Sequence, residues 1–197
     1  ERWAHLKTYR LPGGDEAVKH PDRMAFAALV ADMGEDAAEE AARRLLPTIP
    51  EPHRRVLADM VARGVRSPLT SSAGRLFDAV SALLGLCREV SYEGQAAIRL
   101  QAVAKVDVRD GYVFELDRST RPWVLSPSRM FRELLDDVRS GVDAGVVSAR
   151  FHRGVASGAA AVCAAIREET GLCDVMLSGG VFQNHLLLAW LTASLKL

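Results

Sequence analysis

The chain has 197 residues, 49% hydrophobic and 25% charged, and its 25 Lys plus Arg balance 25 Asp plus Glu. That length buries a sizeable core in one large or two small units, and zero net charge gives no field favouring nucleic acid or an anionic membrane. No apolar run reaches the roughly 20 residues that span a bilayer and no leader precedes a cleavage site, so a cytoplasmic setting is expected. Cys87, Cys163 and Cys173 are odd in number and lack C-x-x-C spacing, and are expected as reduced core residues.

Arg2 to Leu11 alternates, with Trp3, His5 and Lys7 opposite Ala4, Leu6 and Thr8, which predicts a strand. Pro12-Gly13-Gly14 turns the chain, Asp15 caps a short helix, and Pro21 opens a longer one to Met33. Helices are expected over 36–46, ended by Pro47, and over 52–63, closed by Gly64. Their charge runs, Glu39-Glu40 and Arg43-Arg44, read as solvated faces.

Thr70 or Ser71 then caps a helix running to Leu86, with Leu76, Phe77, Val80, Leu83 and Leu84 as its buried stripe. Ser71, Gly74, Asp78, Ser81, Ala82 and Gly85 form a second face, of small residues with one carboxylate. It either admits a flat ligand whose ribose hydroxyls donate to Asp78, or is a close helix crossing with a solvated Asp. Tyr92-Glu93-Gly94-Gln95 turns into a helix to Lys105. Short strands over 106–108, 112–116 and 123–125 follow, then a helix over 129–139 capped by Ser126 or Ser128. A long helix over 146–169, buried on most sides, holds His152, which reads as a core or interface histidine with one hydrogen bond.

The stretch from Asp174 to Asn184 reads as an apolar strand, a turn at Gly179-Gly180 and the opening of a helix. Glycines let backbone approach a ligand, and first-turn amides lack intrahelical acceptors, so the stretch is either a nucleotide site or an ordinary tight turn. The five histidines form no i, i+4 metal pair, and no nucleophile elbow, phosphate loop or dinucleotide fingerprint is present.

Thr70-Ser71-Ser72-Ala73-Gly74-Arg75-Leu76-Phe77-Asp78-Ala79-Val80, Tyr92-Glu93-Gly94-Gln95-Ala96-Ala97 and Ser178-Gly179-Gly180-Val181-Phe182-Gln183-Asn184, in this order, resemble the HypF family of [NiFe]-hydrogenase maturation carbamoyltransferases. Leu11-Pro12-Gly13-Gly14-Asp15 and Arg23-Met24-Ala25 fit its pattern too. More remotely, the motifs are similar to those of tRNA threonylcarbamoyl transferases and antibiotic O-carbamoyltransferases. The resemblance implies a helix-rich α/β fold, part of the ASKHA fold of actin, Hsp70 and sugar kinases. Residues 1–105 would form its helical part and 106–197 its truncated second lobe, together one continuous unit.

The resemblance also implies ATP chemistry: a carbamoyl-adenylate, derived from carbamoyl phosphate by other domains, gives its carbamoyl group to the C-terminal cysteine thiol of a HypE partner. Asp78 and Asn184 would contact its adenosine, with Gly74, Gly94, Gln95, Ser178, Gly179 and Gly180 beside the nucleotide. Related tRNA enzymes carry glycine where Gln95 stands and glutamate where Arg75 stands. The family's metal ligands, from an H-x-x-x-H segment and an N-D-G-G-type segment, have no counterpart here. With no initiator Met and an apolar end at Leu195-Lys196-Leu197, the chain is expected to be a piece of a larger enzyme, inactive alone. The competing reading is a non-catalytic helical interaction module.

Overall fold

The structure, a computed structural model, describes residues 1–196; Leu197, last of the expected apolar end, lies outside them. In chain order the elements are β1 (Ala4–Leu6), β2 (Tyr9–Arg10), α1 (Asp15–Lys19), α2 (Pro21–Met33), α3 (Glu35–Leu45), α4 (Glu51–Arg63), β3 (Leu69–Thr70) and α5 (Ala73–Leu83). Then come α6 (Gln95–Val103), β4 (Glu115–Asp117), β5 (Trp123–Ser126), α7 (Ser128–Arg139), α8 (Ala144–Thr170), a 3-10 turn (Gly180–Gln183) and α9 (His185–Leu195). The chain divides into two compact units, Thr8–Ala102 and Glu1–Lys7 joined to the residues from Val103 onward.

In the first unit, Pro21 supplies a preset φ at the start of α2, and left-handed Gly64 stops α4. Helix α2 packs against α3, α4 and α5. Its Ala25, Ala27 and Ala28 are fully buried, and small side chains there let neighbouring helices approach while Met24, Phe26 and Leu29 fill the space between them. From Leu76 to Leu83, α5 is buried on every side. The face of small residues is therefore largely interior, and Asp78, at 4% exposure, is not solvated. The strand expected across Arg2 to Leu11 is broken after β1, and β2 instead pairs antiparallel with β3, Tyr9 opposite Thr70.

Some local expectations give way to neighbouring backbone. Asp15 and Ser71 are not the cap residues: Gly14 and Ser72 hold those positions without a side-chain bond, and Thr70 Oγ1 instead accepts from the Ser72 amide. Pro127 precedes α7, where Ser126 or Ser128 was expected to cap. Glu39 is not merely solvated either, because its two oxygens accept from Arg54 Nε and Nη2 at 2.8 and 2.7 Å.

In the second unit, β5 pairs parallel with β1 and antiparallel with β4, and Trp123 and Leu125 turn into the core. The strands expected over 106–108 and at Tyr112 to Phe114 do not form. That segment bonds to helices instead, the Tyr112 amide donating to the Arg150 carbonyl and the Val113 amide to the Glu133 carboxylate. Gly154 and Gly158 of α8 make room for it, since a Cβ at Gly154 would run into the Tyr112 carbonyl oxygen. Gly154→Ala is therefore expected to lower stability by about 1–3 kcal/mol, read as a reduced Tm, despite the better helix propensity of alanine.

Helix α8 is largely buried through Gly158 and, apart from buried Ala165, half-exposed or exposed from there to its end. The strand expected at Asp174 to Leu177 is absent: residues 171–178 form no ladder, and Leu172, Val175 and Met176 are 65%, 45% and 93% exposed. Apolar sequence alone does not make a strand, because a strand needs a neighbour for its amides and carbonyls. Cys173 lies in this stretch and is exposed, unlike buried Cys87; all three cysteines are free thiols. No described helix is long and apolar enough to cross a membrane.

Candidate functional site

Gly74, Asp78, Gly94 and Gln95 belong to the first unit and Ser178, Gly179, Gly180 and Asn184 to the second. In the first, α5 carries a line of buried polar atoms at i, i+3 spacing. Arg75 Nη1 and Asp78 Oδ2 lie 3.0 Å apart, an ion pair whose angles fail those of a hydrogen bond. Ser81 Oγ, one further step along, is also buried without a hydrogen-bond partner among the described residues. Leaving such groups unsatisfied costs about 1–3 kcal/mol each, more when charged, so three on one helix call for an explanation.

Burial pushes the Asp78 carboxyl up to about 6 from 3.8, against a smaller downward pull from Arg75. The folded state thus binds this proton more tightly than the unfolded chain. The favourable contribution is full below about pH 4 and is lost as pH rises through about 6. Asp78→Asn removes this titration, so its Tm relative to the parent is expected to increase between pH 4 and pH 7 in a thermal-melt series.

Gly74 sits half-buried in the first turn of α5, and Gly94, at positive φ, precedes α6 with open space where a Cβ would be. Gln95 is buried, and its Oε1 accepts from the Ser91 amide at 2.7 Å, so it shapes the turn before α6. Arg75, which motif comparison alone left aside, proves to be the partner of Asp78; its i−3 position was the available signal.

In the second unit, Ser178, Gly179 and Gly180 are exposed. Gly179 has φ +103°, a conformation side chains disfavour, and it leads into the 3-10 turn. The helix begins later than expected, at His185, because Asn184 is its N-cap: Oδ1 accepts from the Leu187 amide at 3.0 Å. The Asn184 Nδ2 lies 2.8 Å from His152 Nε2. His152 is completely buried, and its Nδ1 lies 2.8 Å from the Ser148 carbonyl oxygen. That oxygen can only accept, so Nδ1 carries the proton and Nε2 accepts from Asn184. His152 is thus the core histidine expected, bonded through both ring nitrogens. Burial pushes it down to about 4, so it is neutral at pH 7.

Among the described residues no group of three or more His, Cys, Asp or Glu side chains is placed to hold a metal ion. The metal implied by the resemblance finds no donor set in them.

The family model described as "Carbamoyltransferase, Kae1-like Domain, second subdomain" matches residues 1–197. The chain belongs to the HypF carbamoyltransferase family. It is 39% identical over 188 residues to carbamoyltransferase HypF of Rhodobacter capsulatus, covering 93% of this chain and 23% of that protein. It is 30% identical over 209 residues to HypF of Synechocystis, covering 100% and 26%. A crystal structure of full-length HypF in the phosphate- and nucleotide-bound form superposes with a TM-score of 0.90 at 32% identity, covering all of this chain and 25% of that one. HypF of T. kodakarensis gives 0.84 at 25% identity, with 100% and 26% covered. The chain therefore spans about a quarter of these relatives' length and has the helix-rich, partial Kae1-like fold of HypF.

Proposed function

We propose that this chain is the nucleotide-holding part of a carbamoyltransferase that moves a carbamoyl group from carbamoyl-adenylate to a HypE-type cysteine thiol, in the synthesis of hydrogenase cyanide ligands. The observation that carries the reading is the buried Asp78 oxygen without a hydrogen-bond partner, beside Arg75 and Ser81. A ribose supplies hydroxyl donors of the kind such a carboxylate lacks, and their donation favours its charged form. Asn184 lies beside the exposed Ser178-Gly179-Gly180 turn and offers an amide there.

In the transfer step the thiolate attacks the carbonyl carbon of the mixed anhydride, the carbon–oxygen bond to phosphate breaks, and AMP leaves with that electron pair. The chain's own residues hold the adenosine; none of them is assigned as acid or base. Hydrogen bonds remote from the reacting carbon set its position relative to the thiol.

Photolabelling of the intact protein with 8-azido-ATP, followed by peptide mapping, tests this. Adducts are expected within residues 74–95, lost in Asp78→Asn, or within residues 178–188, lost in Asn184→Ala. Adducts confined to other parts of the protein would reject the assignment.

A further inference from the structure

We infer that His152 is a positioning residue that fixes which way the Asn184 amide faces. The inference rests on the nucleotide reading of Asn184 for its functional consequence, and on geometry for the rest.

The oxygen and nitrogen of an asparagine amide are nearly the same size, so turning the group over exchanges a donor for an acceptor at little steric cost. Two contacts oppose that exchange here. The Leu187 amide can only donate, and it lies 3.0 Å from Oδ1. His152 Nε2 can only accept while Nδ1–H is committed to the Ser148 carbonyl, and it lies 2.8 Å from Nδ2. One contact demands oxygen and the other demands nitrogen. Turning the amide over would set donor against donor at one end and acceptor against acceptor at the other.

The cap of α9 does not need the histidine. A carboxylate or hydroxyl would accept from the Leu187 amide as well as an asparagine does. The bond to Nε2 is an added constraint on the nitrogen end, where a neutral donor must stand. Phe151 and Trp190 meet the imidazole edge to face at 5.7 and 6.4 Å, and the Arg153 guanidinium stacks on Trp190 at 4.1 Å. The ring is walled in, so its orientation is held by packing as well as by hydrogen bonds. Asn184 keeps one N–H and one Oδ1 lone pair beyond these contacts, and His152, together with the Leu187 amide, sets their polarity toward a ligand.

A double-mutant cycle on carbamoyl transfer in the intact protein tests this. His152→Phe keeps an aromatic ring but removes both hydrogen bonds, and is expected to lower kcat/KM of transfer about 10- to 100-fold, with carbamoyl-adenylate formation unchanged. In an Asn184→Ala background the same change is expected to cost no more than about twofold, because the group it orients is gone. His152→Gln, which offers an acceptor and a donor, should recover part of the loss, and His152→Leu replaces the Phe variant in the cycle should that one not fold. Equal losses in both backgrounds would overturn the inference, since His152 would then act through the fold. If Asn184→Ala itself leaves transfer unchanged, the nucleotide reading fails and this inference falls with it, a result distinct from additivity.

Discussion

Replacing Asp78 or Asn184 by Ala in the intact protein is expected to slow carbamoyl transfer about a hundredfold, while carbamoyl-adenylate formation changes by no more than about twofold. Neither side chain is asked to touch the reacting carbon. Their proposed hydrogen bonds hold adenosine, and a displacement of about 1 Å at the far end of a donor can cost roughly a hundredfold in rate. The two residues carry different structural burdens. Asp78 is a buried carboxylate whose charged form is disfavoured by its surroundings, so its removal relieves that cost but leaves Arg75 without its ion-pair partner. Asn184 caps α9, and its loss costs about 1 kcal/mol of helix stability and leaves His152 Nε2 without its donor. Carbamate-dependent pyrophosphate release and acceptor carbamoylation should be followed separately in each variant. Equal loss of both would assign these residues to the fold or to adenylation, and no loss of either would reject the nucleotide site.

The second large effect is on stability. Glu39→Ala is expected to cost about 3 kcal/mol in urea unfolding, because Arg54, 6% exposed, would keep its charge and its bond to the Ile49 carbonyl but lose its carboxylate. Glu39 is itself 20% exposed along its side chain, so water softens the penalty and the lower end of the usual range applies. The same contact holds the Glu39 carboxyl below its ordinary value of 4.5, chiefly through the hydrogen bond from Arg54. The contribution is therefore present above that value and lost as pH falls below it. Arg43→Ala removes only a 67% exposed partner of the same carboxylate, and its effect should stay within about 0.5 kcal/mol.

Elements set by a local cause are legible in the sequence. Pro21, Gly64 and the Ala-rich run of α3 mark helix limits through backbone restriction and propensity, and the structure places those limits within a residue or so. Elements set by a partner elsewhere in the fold are not legible in the sequence. Asp174 to Leu177 has strand composition but no adjacent strand, and Tyr112 to Phe114 gives its amides to α7 and α8. The bond between Asn184 and His152 joins residues 32 apart, which no periodicity reports. The cap role of Asn184 was legible, as an asparagine before Leu186-Leu187-Leu188, but assigning the helix start to the glycine turn hid it. The candidate site was legible as motifs. The burial of Asp78 was not, because the same small residues suit an open groove and a tight helix crossing alike.

The bare stretch after α8 also equips the protein with a chemical clock. Met176 is 93% exposed, whereas Met24 and Met130 are 1% and 0% exposed. Peroxide converts a thioether to its sulfoxide at a rate that follows access to the sulfur. Met176 therefore oxidises first, and anything that packs over residues 172–178 slows it. Met24 and Met130 react only when their helices open. A single mass-spectrometric time course thus separates covering of this stretch from unfolding of the core, since each event retards or releases a different sulfur.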